Sequence, residues 1–181
     1  SPVTGGGLKY MKYWPDSTGR GIEVNTIEMD LCRLAALEKS MVVCYSGLSR
    51  PAKSILDAVA QGVESGEQQV VEALKGMSKR AEEIRVMLLS GQVEGIGRKL
   101  TEVWELHKRL HPDVTGEQLD RLYSMAMKAG ATGGRVCGAG GGGTMLFFAA
   151  PGREYAVRKA LRDEGARIFD CSIDTHGLLR W

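Results

Sequence analysis

Two long stretches of the chain repeat apolar residues at alternating spacings of four and three, which is the period of an amphipathic helix. The first stretch runs from Val70 to Leu88 and the second from Val93 to Leu110. A Ser-Gly pair at residues 90–91 breaks the first pattern shortly before the second begins. Two long helices joined by so short a turn are expected to form an antiparallel helical hairpin.

Shorter patterns predict the remaining elements. Strands are predicted at residues 8–14, 21–27, 41–45, 134–137, 144–149 and 167–173, with a turn at 15–19 and an edge strand at 177–181. Helices are predicted over residues 50–63, 115–129 and 153–164, whereas residues 29–39 are ambiguous. Ser49 is the expected N-cap of the first of these helices. Ser65 with Gln68, and Thr115 with Gln118, have the spacing of capping boxes.

The order of elements predicts the fold class. From residue 41 onward the order is strand, helix, helical hairpin, helix, two strands, helix and strand. Without the helical hairpin, this is the order of a ferredoxin-like split βαβ unit. We therefore predict one α+β domain over residues 1–181, with a ferredoxin-like core and an inserted helical hairpin.

Composition and charge narrow the classes of partner. The formal net charge is +2 and the Lys and Arg residues are scattered, so no nucleic-acid partner is expected. No apolar run approaches the length of a membrane span, and the first residues lack the pattern of a signal peptide. The four cysteines are widely spaced, which indicates reduced thiols in a cytoplasmic protein rather than disulfides or a zinc site.

A run of glycine between two predicted strands is the strongest candidate for a binding site. Hairpins usually need two to five loop residues, and this connection is longer. Without Cβ atoms, backbone N–H groups can approach an anion closely. A flexible hairpin loop is the alternative interpretation. The candidate phosphate-binding residues are Gly138, Ala139, Gly140, Gly141, Gly142 and Gly143.

Two well-known nucleotide motifs match this run by spacing but not by context. Gly138, Gly140 and Gly143 have the spacing of the dinucleotide fingerprint, and Gly138 to Gly143 has the spacing of a Walker A loop. Both motifs require a following helix, and the residues from Thr144 onward predict a strand. The Walker lysine is also absent.

The segment at residues 134–143 reads Gly-Arg-Val-Cys-Gly-Ala-Gly-Gly-Gly-Gly and precedes an apolar strand. It resembles the third motif of the GHMP kinases, a family of small-molecule kinases. Three further segments, at residues 41–50, 104–110 and 177–181, resemble the C-terminal part of the heptose 7-phosphate kinases within that family. The resemblance covers nearly the whole chain.

This resemblance implies the C-terminal domain of an ATP-dependent sugar-phosphate kinase that uses Mg²⁺. The family's main ATP-binding loop does not occur in residues 1–181, and its catalytic carboxylate would lie upstream. We therefore expect no catalytic residue in this chain, no tightly bound cofactor and no activity without the N-terminal kinase domain of the same protein. The sugar-phosphate substrate is the other expected partner.

Arg50 and Ser49 are the candidates for binding the phosphate of the substrate. Arg50 follows a strand and a Ser-Gly-Leu-Ser turn and opens a predicted helix, a position that attracts anions. An exposed arginine and a capping serine are the alternatives. His107 and His111 have a spacing that metal sites use, but no third ligand accompanies them, so no metal site is predicted.

Two other functional classes remain open from sequence. Ferredoxin-like domains also occur as non-catalytic modules that bind small molecules. The helical hairpin could instead serve as a dimerisation surface, so a homodimer is a further possible assembly. The kinase interpretation accounts best for the length of the glycine run.

Overall fold

Six α-helices and six strands lie in the parts of the chain that the computed structural model describes, residues 5–14, 21–49 and 52–177. The strands are β1 (Leu8–Trp14), β2 (Gly21–Ile27), β3 (Met41–Tyr45), β4 (Ala131–Val136), β5 (Thr144–Ala149) and β6 (Arg167–Phe169). The helices are α1 (Leu31–Ser40), α2 (Ala52–Glu64), α3 (Gln68–Ser90), α4 (Ile96–Lys108), α5 (Glu117–Ala129) and α6 (Glu154–Asp163). Short 3-10 turns precede α4 and α5.

The strands form two antiparallel sheets. β1 and β2 make a hairpin, and the other four strands form a sheet with the order β4-β5-β3-β6. Tyr45 at the end of β3 pairs with Thr144 at the start of β5, and Val136 at the end of β4 pairs with Met145. The end of β3 and the β4–β5 connection therefore lie together at one end of the sheet.

Helices α3 and α4 form the predicted antiparallel hairpin. Arg80 of α3 pairs with Glu102 of α4 at 2.9 Å, and Glu83 of α3 pairs with Lys99 of α4 at 2.9 Å. Residue numbers rise along one helix as they fall along the other, which is the signature of antiparallel packing. The hairpin was predictable because the apolar periodicity on each helix is local and uninterrupted.

The apolar core has two parts that meet across β5. The larger part contains Trp104, Leu119 and Phe147, and the smaller contains Leu37 and Phe148. Phe147 and Phe148 are consecutive, and side chains alternate between the two faces of a strand. β5 therefore contributes to both parts of the core, which explains why the whole of this strand is apolar or small after its first residue.

Both predicted capping boxes are wrong. α3 has Glu67 as its N-cap rather than Ser65, and the Glu67 side chain makes no capping hydrogen bond. α5 has Gly116 as its N-cap, while the Thr115 hydroxyl donates to a carboxylate oxygen of Asp120 at 2.7 Å. The spacing of a capping box is short and occurs often by chance, so it does not by itself locate the first residue of a helix.

The C-terminal strand is shorter than predicted. β6 ends at Phe169 rather than at residue 173, and Cys171 beyond it is exposed. The following segment leaves the sheet, because the backbone N–H of Ile173 donates to Glu38 of α1 at 2.5 Å. The ambiguous segment before β3 forms α1. The predicted turn at residues 15–19 and most of the edge strand at 177–181 lie outside the described residues.

Within the described ranges, no helix is both long enough and apolar enough to cross a bilayer.

Helix α4 lies directly on β4 at a contact between two glycines. A Cβ atom on Gly97 would overlap Thr132 Oγ1 and lie 3.1 Å from the backbone nitrogen of Gly133. A Cβ atom on Gly133 would in turn overlap the backbone of Gly97. The two backbones therefore approach each other at a distance that excludes any side chain at either position.

We expect Gly97→Ala to lower the thermal midpoint by a few degrees, through an overpacking cost of about 1–3 kcal/mol. In an ordinary helix interior the same change would stabilise by about 1 kcal/mol. Gly76→Ala on α3 is the matched control, because its Cβ would meet the flexible end of Leu106 at 2.9 Å. Thermal unfolding by circular dichroism measures both variants. A Gly97→Ala protein as stable as the parent would contradict this close contact.

Candidate functional site

The glycine loop, defined here as residues 137–143, connects β4 to β5 at the end of the sheet where β3 also finishes. The sheet register places this loop beside residues 46–49, which follow β3. The short turn before α5 packs against it from another side, since Val114 contacts the loop backbone. Three connections that are far apart in sequence therefore meet around the glycine loop.

Main-chain hydrogen bonds hold the loop in place. The N–H of Gly143 donates to the Leu48 carbonyl at 2.8 Å, and the Gly143 carbonyl accepts from the N–H of Ser46 at 2.9 Å. The N–H of Gly141 donates to the Val114 carbonyl at 2.7 Å. These bonds fix the loop against two neighbouring segments, which argues against a flexible hairpin connection.

Two of the glycines are required by close packing. A Cβ atom on Gly140 would lie 2.8 Å from both Cγ1 and the carbonyl oxygen of Val114. A Cβ atom on Gly142 would lie 2.9 Å from the carbonyl oxygen of Leu48. By contrast, a Cβ on Gly138 would meet nothing within 4 Å, although its φ of +72° favours glycine.

The loop keeps part of its capacity to contact an anion. The N–H groups of Gly141 and Gly143 are occupied by carbonyls of the chain itself. Those of Gly138, Ala139 and Gly140, together with that of Gly142, have no partner in the described part of the chain. Unoccupied backbone N–H groups are the donors that phosphate-binding loops use. The role of residues 138–143 in phosphate binding stays a prediction.

The residues that follow β3 hold the glycine loop in place, and they include Ser49 of the predicted substrate site. Ser46 is fully buried, and its carbonyl accepts a 2.7 Å hydrogen bond from the Gln118 side chain. The Ser46 hydroxyl accepts from the N–H of Leu48 at 3.3 Å, so it holds the turn. Ser49 is exposed directly after Leu48. Arg50 lies outside the described residues, so its proposed phosphate contact stays a prediction.

A pair formed by the buried His107 and the partly buried Arg135 joins the glycine loop to helix α4, and the sequence did not predict it. Arg135 Nε donates to the Val136 carbonyl at 2.9 Å, and its Nη2 lies 3.5 Å from Nδ1 of His107. The imidazole also hydrogen-bonds to the backbone of Ala139 in the loop, and its edge packs on Trp104 at 5.7 Å. Arg135 belongs to the motif at residues 134–143, whereas the sequence singled out His107 only for its spacing from His111.

The His107 imidazole is neutral in the folded chain. Burial lowers the pKa of His107 from 6.5 to about 4, and the positive charge of Arg135 acts in the same direction. The hydrogen bond with the backbone of Ala139 opposes this shift in pKa. A guanidinium can only donate, so Nδ1 is the acceptor and the ring proton resides on Nε2.

His107 does not form a metal site with His111. The Nδ1 atom of His111 accepts a hydrogen bond from the N–H of Asp113 at 3.1 Å. The described residues contain no group of three or more His, Cys, Asp or Glu side chains arranged to hold a metal ion. His107 is therefore interpreted as a structural link between α4 and the glycine loop.

The loop geometry predicts different effects for two matched substitutions. Gly138→Ala places a side chain in open space and adds only the cost of a left-handed conformation, about 1–2 kcal/mol. Gly140→Ala adds the same kind of strain and also a collision with Val114, so it should cost about 1–3 kcal/mol more. Urea unfolding of both variants measures the difference. Equal losses of stability would show that the Val114 contact does not restrict the loop.

Acidification should destabilise the chain through His107. Between pH 6.5 and about 4 the unfolded chain binds a proton at His107 that the folded chain excludes, so stability falls as pH falls through this range. The shift corresponds to a loss on the order of 3 kcal/mol. We expect His107→Gln, which keeps an acceptor and a donor, to reduce the pH slope of the unfolding free energy by about one proton.

Urea unfolding at several pH values between 4 and 7.5 measures this slope. His176→Gln is the control, because it removes an exposed histidine and leaves the His107 contacts intact. A His107→Gln variant with the slope of the parent protein would show that the imidazole is not held neutral.

Comparison with known proteins identifies the family of this domain. Residues 81–167 match the family described as GHMP kinases C terminal. This region runs from α3 to the start of β6 and contains the whole glycine loop.

Individual relatives extend the similarity beyond that region. A D-glycero-alpha-D-manno-heptose 7-phosphate kinase of Campylobacter jejuni is 28% identical over 179 residues, covering 99% of this chain and 51% of that protein. A mevalonate kinase of Pyrococcus furiosus is 31% identical over 150 residues, covering 80% of this chain and 44% of that protein. The chain thus spans about half the length of these relatives.

The fold agrees with the sequence relatives. The crystal structure of a candidate sugar kinase from Campylobacter jejuni superposes with a TM-score of 0.69 at 26% identity, covering 97% of this chain and 48% of that one. A heptose 1-phosphate kinase from Bacteroides thetaiotaomicron has the same fold, with a TM-score of 0.68, 24% identity and coverage of 97% of this chain and 45% of that one. The motif at the glycine loop, the family match and the shared fold together identify residues 81–167 as the C-terminal domain found in GHMP kinases.

Proposed function

We propose that this chain is the C-terminal half of an ATP-dependent sugar-phosphate kinase and that the acceptor is a heptose 7-phosphate. The observation that carries the proposal is the extent of similarity to the heptose 7-phosphate kinase of Campylobacter jejuni. That similarity covers 99% of the chain, compared with 80% for the mevalonate kinases. The domain over residues 1–181 would then act together with an N-terminal kinase domain of the same protein.

The glycine loop would contribute backbone donors to the site of phosphoryl transfer. Its fixed position supports this role, because donors held by the protein lose little freedom when they bind a phosphate. Ser49 directly follows Leu48, whose carbonyl anchors the loop, and Arg50 is the next residue in the sequence. We assign the existing phosphate of the substrate to Arg50, with Ser49 as a further donor.

The rest of the catalytic apparatus would come from the N-terminal domain. The described residues offer no cluster of acidic or imidazole ligands for Mg²⁺, so the fit to the metal is incomplete in this half. ATP supplies the phosphoryl group when it is bound, and the loop N–H groups would contact its phosphates. Because phosphoryl transfer requires all of these groups to be positioned together, this chain alone should be inactive.

The sheet order also supports the finer description of the fold. β3, β4, β5 and β6 alternate with helices in the order of a split βαβ unit, and they lie in the order β4-β5-β3-β6. We propose that this sheet and its helices are the ferredoxin-like core, with α3 and α4 as the inserted hairpin. A cytoplasmic location and a homodimer stay predictions.

The proposal is tested by comparing two proteins in an ADP-release assay with heptose 7-phosphate, mevalonate and unphosphorylated sugars. One is the 181-residue chain. The other is the parent protein extended upstream to include the ATP-binding half. We expect turnover only from the extended protein, with kcat/KM for heptose 7-phosphate at least about a hundredfold above that for mevalonate, or roughly 2.7 kcal/mol.

The loop variants provide the control in the extended protein. Gly140→Ala should lower kcat/KM more than Gly138→Ala, because only the first displaces the loop. Turnover by the 181-residue chain that a loop substitution abolishes would contradict the division between two halves. An extended protein that prefers mevalonate would contradict the assignment of the substrate.

A further inference from the structure

A cavity of about 460 Å³ lies away from the glycine loop, between strand β1 and the helices α3 and α4. Its wall is largely apolar and includes Met77, Ile84, Leu100 and Val103. Two cationic side chains also line it, Lys12 from β1 and Arg135 from β4. This volume falls within the usual range for small-molecule sites, about 300–1,000 Å³.

The charge of Arg135 is not balanced by any acid in the described part of the chain. Its two hydrogen-bond partners are the Val136 carbonyl and the neutral imidazole of His107. Five N–H groups belong to a guanidinium, so donors remain for a further partner. Burial lowers the pKa of Arg135, as expected for a cation that has lost solvent without gaining a counter-charge. A partly buried cation of this kind is stabilised when an anion binds it.

The solvent opening of the cavity is also cationic. A wider depression of about 600 Å³ shares Tyr10, Lys12 and Ser78 with the cavity and is lined by residues of β1, β2 and α3. This depression contains three lysines, Lys12, Lys75 and Lys79. None of them has a carboxylate oxygen within 4.0 Å among the described residues. Of the two acids there, Glu82 pairs with Arg85 at 2.8 Å and also interacts with Lys12, and Glu23 is paired with Lys12 in the register of the hairpin. The four cationic side chains of this depression still outnumber its two acids.

We propose that this cavity binds a small phosphate monoester with an apolar body. The phosphate lies against the guanidinium of Arg135, whose planar donors match phosphate oxygens, and the apolar body packs on α3 and α4. Lysines at the opening attract the dianion toward the cavity. No residue of the glycine loop lines this cavity, and the proposal stands or falls independently of the proposed kinase activity.

The site has a physical connection to the glycine loop. Arg135 contacts His107, and His107 contacts the backbone of Ala139. An anion in the cavity would attract the Arg135 guanidinium and so weaken its contact with His107. Because His107 also contacts the loop backbone, binding in the cavity would affect the loop. This connection makes the cavity a place where a metabolite bound by one face of the domain influences the loop on another.

The test uses phenyl phosphate as the probe and isothermal titration calorimetry of the 181-residue chain. We expect one binding site, with inorganic phosphate at least about tenfold weaker and benzyl alcohol without measurable binding. Arg135→Met should weaken phenyl phosphate at least about tenfold, since it removes a charged hydrogen-bond partner. Ala81→Leu fills the cavity while keeping both cations, and it should weaken binding by a similar factor.

Two further variants keep the test decisive. Lys12→Met changes a cation on the hairpin strand and should weaken binding even if Arg135→Met fails to fold. Arg98→Met removes a cation that does not line this cavity and should leave binding unchanged. The proposal is overturned if the folded chain does not bind phenyl phosphate, or if Lys12→Met and Ala81→Leu bind it as tightly as the parent chain. The first of these results would point to an acidic side chain of another domain as the partner of Arg135.

Discussion

The hydrogen bonds from the backbone of the glycine loop to Leu48 and Val114 connect three parts of the chain that are distant in sequence. Gly143 joins the loop to the segment after β3, and Gly141 joins it to the turn before α5. Both contacts are main chain to main chain, so their geometry depends on the sheet register and on the position of α5. The conformation of the candidate site is therefore set by the packing of the whole domain.

Close approach of backbones is a general feature of this domain. Gly140 lies against Val114 in the loop, and Gly97 of α4 lies against Gly133 of β4. In each pair a methyl group would collide with backbone or buried atoms. Part of the high glycine content, 24 residues in all, thus serves packing between elements rather than ligand binding alone. A motif rich in glycine can accordingly reflect structural and functional demands at the same positions.

Charge is distributed so that one partly buried cation, Arg135, lies between two candidate sites. Arg135 reaches the cavity beside β1, and through His107 it is connected to the glycine loop. The imidazole stays neutral because it is buried and next to a positive charge, and a neutral ring can accept from Arg135. The same pair therefore stabilises the loop and leaves guanidinium donors available toward the cavity.

The sequence by itself determined the helical hairpin, five of the strands to within a few residues, the location of the glycine loop and the kinase family. These features depend on residues only a few positions apart, so the apolar periodicity and the motif spacing reveal them directly. Only the tertiary structure decided which glycines are restricted by packing, where α3 and α5 begin, and that β6 ends at Phe169. It also placed Gln118 on Ser46 and His107 on Arg135, pairs separated by 72 and 28 residues. Such contacts depend on how the helices pack on the sheet, and no local pattern encodes that packing.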